Sequence, residues 1–302
     1  MTTPPAWTTA DMPDQTGRTV VVTGGNSGLG FETCKAFAER GATVVLASRD
    51  EERGRAAAAR LPGRVDVLRL DLADLDSVRV FAAELVGRGA PVDVLVNNAG
   101  IGMSARSLTA QGVESQFGVN HLGHFALTGL LLPLLRRGTG ARVVTVSSNA
   151  YRHGRIDFDD LSGARRYRAH TFYEQSKFAN VVFALDLDRR LRAAGVPVAS
   201  LAAHPGVART NLPNSSGGGA VAFVLKLAND WIAQPAAHGA WCQLHAATAP
   251  TAQGGQFYGP GGRTWMRGHP ALLHPGPALS DPETARRLWE VSTELSGVVY
   301  MF

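Results

Sequence analysis

Short runs of β-branched and aliphatic residues alternate along this chain with longer stretches whose apolar positions recur at helical spacing. "RTVVVTGG" (18–25) is an apolar run closed by glycines and reads as a buried strand. "SGLGFETCKAFAERG" (27–41) follows with helical spacing and a terminal glycine. The strand signature returns in "TVVLAS" (43–48), "VDVLRLDL" (65–72), "VDVLVNNAG" (92–100), "ARVVTVSS" (141–148) and "VPVASLAAHPG" (196–206). Helices are predicted between them over about 50–61, 74–88 and 110–137, and again around "TFYEQSK" (171–177) after a polar, Arg-rich insertion at 149–170. Strands alternating with helices imply right-handed βαβ crossovers and a parallel sheet covered on both faces.

The pattern gives one α/β, doubly wound Rossmann-type domain over 1–302 with no break in composition. Within it, 15–206 is the expected cofactor-binding and catalytic core. Residues 207–250 are expected to supply a substrate lid and the helix after it, and 251–302 a last strand and a C-terminal helix. "GGQFYGPGG" (254–262) reads as the edge strand, and "DPETARRLWEVSTELSG" (281–297) as an amphipathic helix with Asp281 as N-cap and Gly297 beyond its end. After three glycines, the apolar segment 220–232 fits either a lid lined by Phe223, Leu227 and Trp231 or a plain core helix.

Ligands of such sheets bind beyond the carboxyl ends of the strands, and the unusual residues of this chain fall there. "TGGNSGLG" (23–30) turns a strand into a helix. Gly24, Gly28 and Gly30 allow a tight turn, a close backbone approach to a pyrophosphate and a helix N-terminus aimed at it. About 20 residues on, where an acid would select NAD, the second strand ends in Ser48 and then Arg49. A guanidinium suits a 2′-phosphate, so the expected cofactor is NADP(H); the alternative is an Arg49 that is merely solvated. Asp71, with Leu72 beside it, borders either the adenine side or a local turn.

Tyr173 and Lys177 stand four residues apart, on one face of a helix. An ammonium near a phenol favours the phenolate, so Lys177 is expected to lower the Tyr173 pKa and make it a proton donor or acceptor. Only Lys35 and Lys226 are the other lysines among 30 basic residues.

With its order of motifs the chain resembles the short-chain dehydrogenase/reductase family. The resemblance is carried by "TGGNSGLG", "NNAG" (97–100), Asn120, the serine after the fifth strand, "YEQSK" and "HPG" (204–206), and it covers about 18–212. The G-x-x-x-G-x-G spacing separates it from the extended epimerase type. "ASRD" and the insertion before the tyrosine are most similar to the retinol-dehydrogenase-like and protochlorophyllide-reductase-like branches. The resemblance implies a tetrad of Asn120, Ser148, Tyr173 and Lys177. Tyr173 would exchange the proton, Ser148 hold the substrate oxygen, Lys177 tune the phenol and hold the ribose, and Asn120 interrupt its helix to bind a relay water. Two serines compete, Ser147 and Ser148; side chains alternate along a strand, so one faces the site, and the family pattern favours Ser148. It also implies cofactor contacts from Asn26, Ser27, Leu29, Asn98, Ala99, Gly100, Pro205, Gly206 and Thr210.

The expected function is an NADPH-dependent carbonyl reductase or alcohol dehydrogenase acting on an apolar ketone, aldehyde or secondary alcohol. A carbon–carbon double-bond reductase on the same tetrad and a non-catalytic NADP(H) sensor are the alternatives.

Composition changes little. The net charge of +5 comes mostly from arginine, and the cluster Arg152, His153, Arg155, Arg165, Arg166 and Arg168 reads as a solvated surface rather than a nucleic-acid site. His121 and His124 lack a third ligand or a neighbouring glutamate, so no metal is expected. Cys34 and Cys242 have no paired spacing and read as core residues of a reduced, cytoplasmic protein. No signal peptide is evident, and "FALTGLLLPLL" (125–135) is shorter than the ~20 residues of a membrane span. The long helices could pair with a second copy, but no feature demands it.

Overall fold

The computed structural model describes residues 6–206, 235–262 and 266–302. Eight strands form one sheet in the order β3-β2-β1-β4-β5-β6-β7-β8. These are β1 (Thr19–Thr23), β2 (Thr43–Ser48), β3 (Val65–Arg69), β4 (Val94–Asn97), β5 (Ala141–Val146), β6 (Val198–Ala203), β7 (Phe257–Pro260) and β8 (Pro270–Leu273). All adjacent pairs are parallel except β7 and β8.

The apolar runs are continuous because both faces of the sheet are covered. Val21 packs into one hydrophobic cluster while its neighbours Val20 and Val22 pack into the other, as pleating requires. On Val21's side lie α3 (Leu75–Arg88), α5 (Gly123–Leu135), α6 (Ala169–Ala193) and α9 (Pro282–Ser296). On the other lie α1 (Gly28–Glu39) and α8 (Trp241–Thr248). α2 (Glu51–Ala58), α4 (Ser115–Phe117) and α7 (Ala236–Gly239) complete the α-helices among the described residues.

Short polar side chains set the helix starts. Asp50, Asp74 and Asp281 accept backbone N–H bonds from Arg53, Asp76 and Thr284, each at 3.0 Å. Gly297 ends α9 at φ 65°, as its position in the sequence suggested.

Two expectations change. "QFYGP" is not the edge: β8 adds an antiparallel strand outside it, with Pro270 opposite Pro260. A four-residue run beginning with proline carries almost no strand signal, and an edge is where proline is tolerated. The apolar helix is also longer than the greasy run. It is continuous over Ser115–Leu135, 21 residues, long and apolar enough to cross a membrane by length and composition, but 83% of its apolar window is buried inside the fold. The proposed lid residues Phe223, Leu227 and Trp231 lie outside the described residues. α8, after them, places Cys242 and Leu244 in the core.

Candidate active site

The strand order reverses between β1 and β4, so the crossovers on either side leave a crevice at their carboxyl ends. A cleft of about 620 Å³ opens there. Gly24, Asn26, Ser27, Gly28, Leu29, Gly30, Ser48, Arg49, Asp71, Leu72, Asn98, Ala99, Gly100, Tyr173, Lys177, Pro205 and Gly206 all line it. Thr210, expected among them, lies outside the described residues.

The glycine loop is built for close approach. Gly24 and Gly28 have φ of 66° and 54°, where side chains are strained. A Cβ on Gly30 would sit 2.6 Å from Asn98 Nδ2 and closer still to the Gly24 carbonyl oxygen. A Cβ on Gly28 would meet nothing within 4 Å, because that position faces open space. Ser27 begins α1 without a side-chain cap bond, so the first N–H groups of the helix remain available to an anion. These features fit the pyrophosphate of a dinucleotide.

At the end of β2, buried Ser48 donates to the Asp50 carbonyl at 2.8 Å, leaving exposed Arg49 at the cleft. Arg53, one turn into α2, lines the same wall 3.3 Å from the Asp50 carboxylate. The sequence reading missed Arg53; a second arginine four residues after Arg49 on a helix start was the available signal. Asp71 makes a local turn, its Oδ1 accepting from Ala73 N at 3.0 Å, and also lines the cleft.

At the other end, α6 carries Tyr173 and Lys177. Lys177 is 5% exposed, with Nζ 5.8 Å from the Tyr173 ring centre and 3.4 Å from the Val146 carbonyl it donates to. Burial lowers its ammonium to about 8. Burial also raises the Tyr173 phenol, a hydrogen bond with Ser148 pulling the other way. The expectation that Lys177 would lower Tyr173 is therefore not met in the protein alone: desolvation of the phenolate raises it, and the opposing influence is the Ser148 hydrogen bond. Ser148 is the serine that faces Tyr173. Ser147 points away and donates to the Lys177 carbonyl at 2.7 Å.

Asn120 sits in a π-helical turn, Gly118–Leu122, so its helix is interrupted at that residue. Its amide brackets Ile101, accepting from Ile101 N at 2.8 Å and donating to Ile101 O at 2.9 Å. A Cβ on Gly100 would lie 3.1 Å from Asn120 Oδ1 and 3.2 Å from Lys177 Nζ, so the three groups converge there.

Behind these, side chains tie the two motifs to the π turn and to α8. Asn98 N and Ala99 N both donate to Thr23 Oγ1 at 2.9 Å, and Thr23 Oγ1 is 2.8 Å from His124 Nε2. His124 Nδ1 reaches the Asn120 carbonyl at 3.0 Å, so one buried imidazole joins the floor of the cleft to the π turn. With both N–H groups occupying Thr23, the threonine hydroxyl donates to His124 Nε2 and Nδ1 carries the ring proton. From α8, Gln243 donates to Thr33 Oγ1 at 2.6 Å and to Asn98 Oδ1 at 3.2 Å.

No group of three metal-ligating side chains occurs among the described residues. His121 and His204, lowered to about 3 by burial, and His124, lowered to about 4, are buried imidazoles. In the basic insertion Arg152, His153, Arg155, Arg165 and Arg166 are exposed.

Comparison with known proteins identifies the family. The family model for short chain dehydrogenases matches residues 18–218. Human retinol dehydrogenase 12 is 40% identical over 291 residues, spanning 93% of this chain and 87% of that protein. Mouse polyprenol dehydrogenase is also 40% identical, over 299 residues, spanning 95% and 86%. The crystal structure of an uncharacterised protein from Mycobacterium paratuberculosis superimposes with a TM-score of 0.84 at 43% identity, covering 98% of this chain and 100% of the other.

Proposed function

The chain belongs to the short chain dehydrogenase family, and on that premise we propose that it is an NADP(H)-dependent oxidoreductase acting on an apolar carbonyl compound or its alcohol. The observation that carries the reading is the convergence of Tyr173, Ser148 and buried Lys177 at one end of a glycine-lined cleft. When bound, the nicotinamide supplies or accepts the hydride.

The residues of the chain do the rest. Gly24, Gly28, Gly30 and the start of α1 would hold the pyrophosphate, and Arg49 with Arg53 would pair with a 2′-phosphate. Burial keeps the Tyr173 phenol protonated at neutral pH, so in reduction it is ready to donate its proton to the carbonyl oxygen. Ser148, already hydrogen-bonded to that phenol, would donate to the same oxygen as negative charge develops. Lys177, its ammonium lowered to about 8, would pass a proton toward the phenol, and Asn120, beside it at Gly100, would hold the water that resupplies Lys177.

Two features support an apolar substrate. Ile101, Leu108, Val119 and Val146 line the cleft, and the two named relatives are dehydrogenases of retinol and polyprenol, long apolar alcohols. We include a cytoplasmic location in the reading because both cysteines are buried and unpaired. The test is NADPH and NADH oxidation with retinal, isoprenoid aldehydes and apolar ketones, with product identification. Turnover preferring NADPH, and a loss of that preference when Arg49 and Arg53 are both changed to alanine, would support it. Turnover with NADH alone would overturn the cofactor assignment.

A further inference from the structure

We propose that Gln116 and Tyr167 are positioning residues that hold the segment Ile101–Ser104 in a strained conformation against the ring of Tyr173. The inference rests on Tyr173 being the proton donor of the preceding section.

Met103 has φ 57° and is the only non-glycine residue with positive φ among the described residues. That region is unfavourable for an L side chain and persists only where surrounding contacts enforce it. The contacts are present on both flanks. On the near side Asn120 brackets both the N–H and the carbonyl of Ile101. On the far side Met103 N donates to Gln116 Oε1 at 2.8 Å, and Tyr167 Oη donates to the Ser104 carbonyl at 2.7 Å. Gln116, itself fully buried, donates to Tyr167 Oη at 3.0 Å and to the Ala169 carbonyl at 2.9 Å, where α6 begins. The fully buried Glu114 carboxylate caps Phe117 N at 2.9 Å and lies 3.2 Å from Tyr167 Oη.

Gly102 lies between these anchors. A Cβ there would fall 2.9 Å from Tyr173 Cε2 and 3.0 Å from Cδ2, so the Gly102 backbone lies against one side of the phenol ring. If Met103 relaxed to negative φ, the chain on its amino side would turn and Gly102 would leave the ring. The phenol would then gain freedom on that side and lose its fixed aim beside Ser148. The insertion that carries Tyr167 and the helix start that carries Gln116 thus act on the proton donor through three residues of backbone.

The test is a cycle of Gln116→Ala, Met103→Gly and the double variant in the full chain, with NADPH dissociation constants, kcat, KM and melting temperature measured for each. Gln116→Ala is expected to lower kcat about tenfold or more, as misplacement of a reacting group does. The NADPH dissociation constant should stay within about twofold, since the glycine loop is untouched. Glycine takes φ 57° without strain, so Met103→Gly should restore most of the kcat lost in Gln116→Ala. Tyr167→Phe keeps the ring and removes only the hydroxyl; it should lower kcat in the same sense and shift its pH profile, and it serves if Gln116→Ala fails to fold. Wild-type kcat in both Gln116→Ala and Tyr167→Phe overturns the proposal, as does a kcat loss that Met103→Gly does not relieve. Tyr173→Phe keeps the two readings apart. An inert Tyr173→Phe with a fully active Tyr167→Phe removes the clamp alone, whereas an active Tyr173→Phe removes the proton donor itself.

Discussion

Gly30→Ala tests the cofactor cradle through a single methyl group. That methyl would lie 2.6 Å from Asn98 Nδ2 and nearer still to the Gly24 carbonyl. Ordinary contact needs about 3.5 Å, so the first turn of α1 and the loop must separate by about 1 Å. Neither neighbour yields easily: Asn98 Nδ2 donates to the Thr23 carbonyl at 2.8 Å, and Gln243 holds its Oδ1. Overpacking of this kind costs about 1–3 kcal/mol of stability. Displacing one N–H from a charged phosphate costs about 1.5–3 kcal/mol, or roughly a 10- to 150-fold weaker NADPH affinity. Two other glycines separate the causes. Gly28→Ala meets no atom within 4 Å, so only its φ of 54° penalises it, by about 1–2 kcal/mol. Gly87→Ala, exposed within α3 and free of neighbours, should stabilise by about 0.5–1 kcal/mol, near 1 °C for a chain this long. NADPH fluorescence titration and thermal melts read all three. Wild-type NADPH affinity and melting temperature in Gly30→Ala would refute the close packing of this loop.

Four further outcomes are expected. Replacing both Arg49 and Arg53 by alanine should weaken NADPH about tenfold or more while leaving NADH nearly unchanged, as loss of phosphate pairing predicts. Lys177→Met should melt higher than wild type at pH 7 in the absence of cofactor. Between about 8 and 10.5 the unfolded state binds the extra proton, so wild-type stability rises with pH and the gap should close across that window. His121 and His204, lowered to about 3, and His124 and His245, lowered to about 4, give stability that is complete above 6.5 and lost as pH falls toward those values. Acid melts should therefore decline below pH 6.5, and His121→Gln should flatten the decline.

How much of this could be read from the sequence depended on whether the signal was local. The central strands announced themselves because a parallel strand covered on both faces is apolar at every position, as Val20, Val21 and Val22 are. The glycine loop sits at a strand end and the Tyr173–Lys177 pair on the helix that follows the fifth strand, both short and in a fixed order, so their convergence followed from topology. Ser148 rather than Ser147 followed from alternation along the strand together with the family pattern. What escaped was non-local. β8 exists only as a partner for β7, and Gln116, Tyr167, His124 and Gln243 act through side chains far apart in sequence. The direction of the Tyr173 pKa was misjudged for the same reason: helical spacing reveals a nearby ammonium but not the burial that raises the phenol.

The central claim, that Tyr173 exchanges the proton while hydride passes between NADPH and an apolar carbonyl, is tested most directly by following NADPH oxidation with retinal or an apolar ketone for wild type and Tyr173→Phe. NADPH binding should be equal in both proteins, with turnover in the wild type and at least a hundredfold less in the variant, as expected for loss of a general acid worth about 10²–10⁴ in rate. Equal turnover by the two proteins would contradict the account.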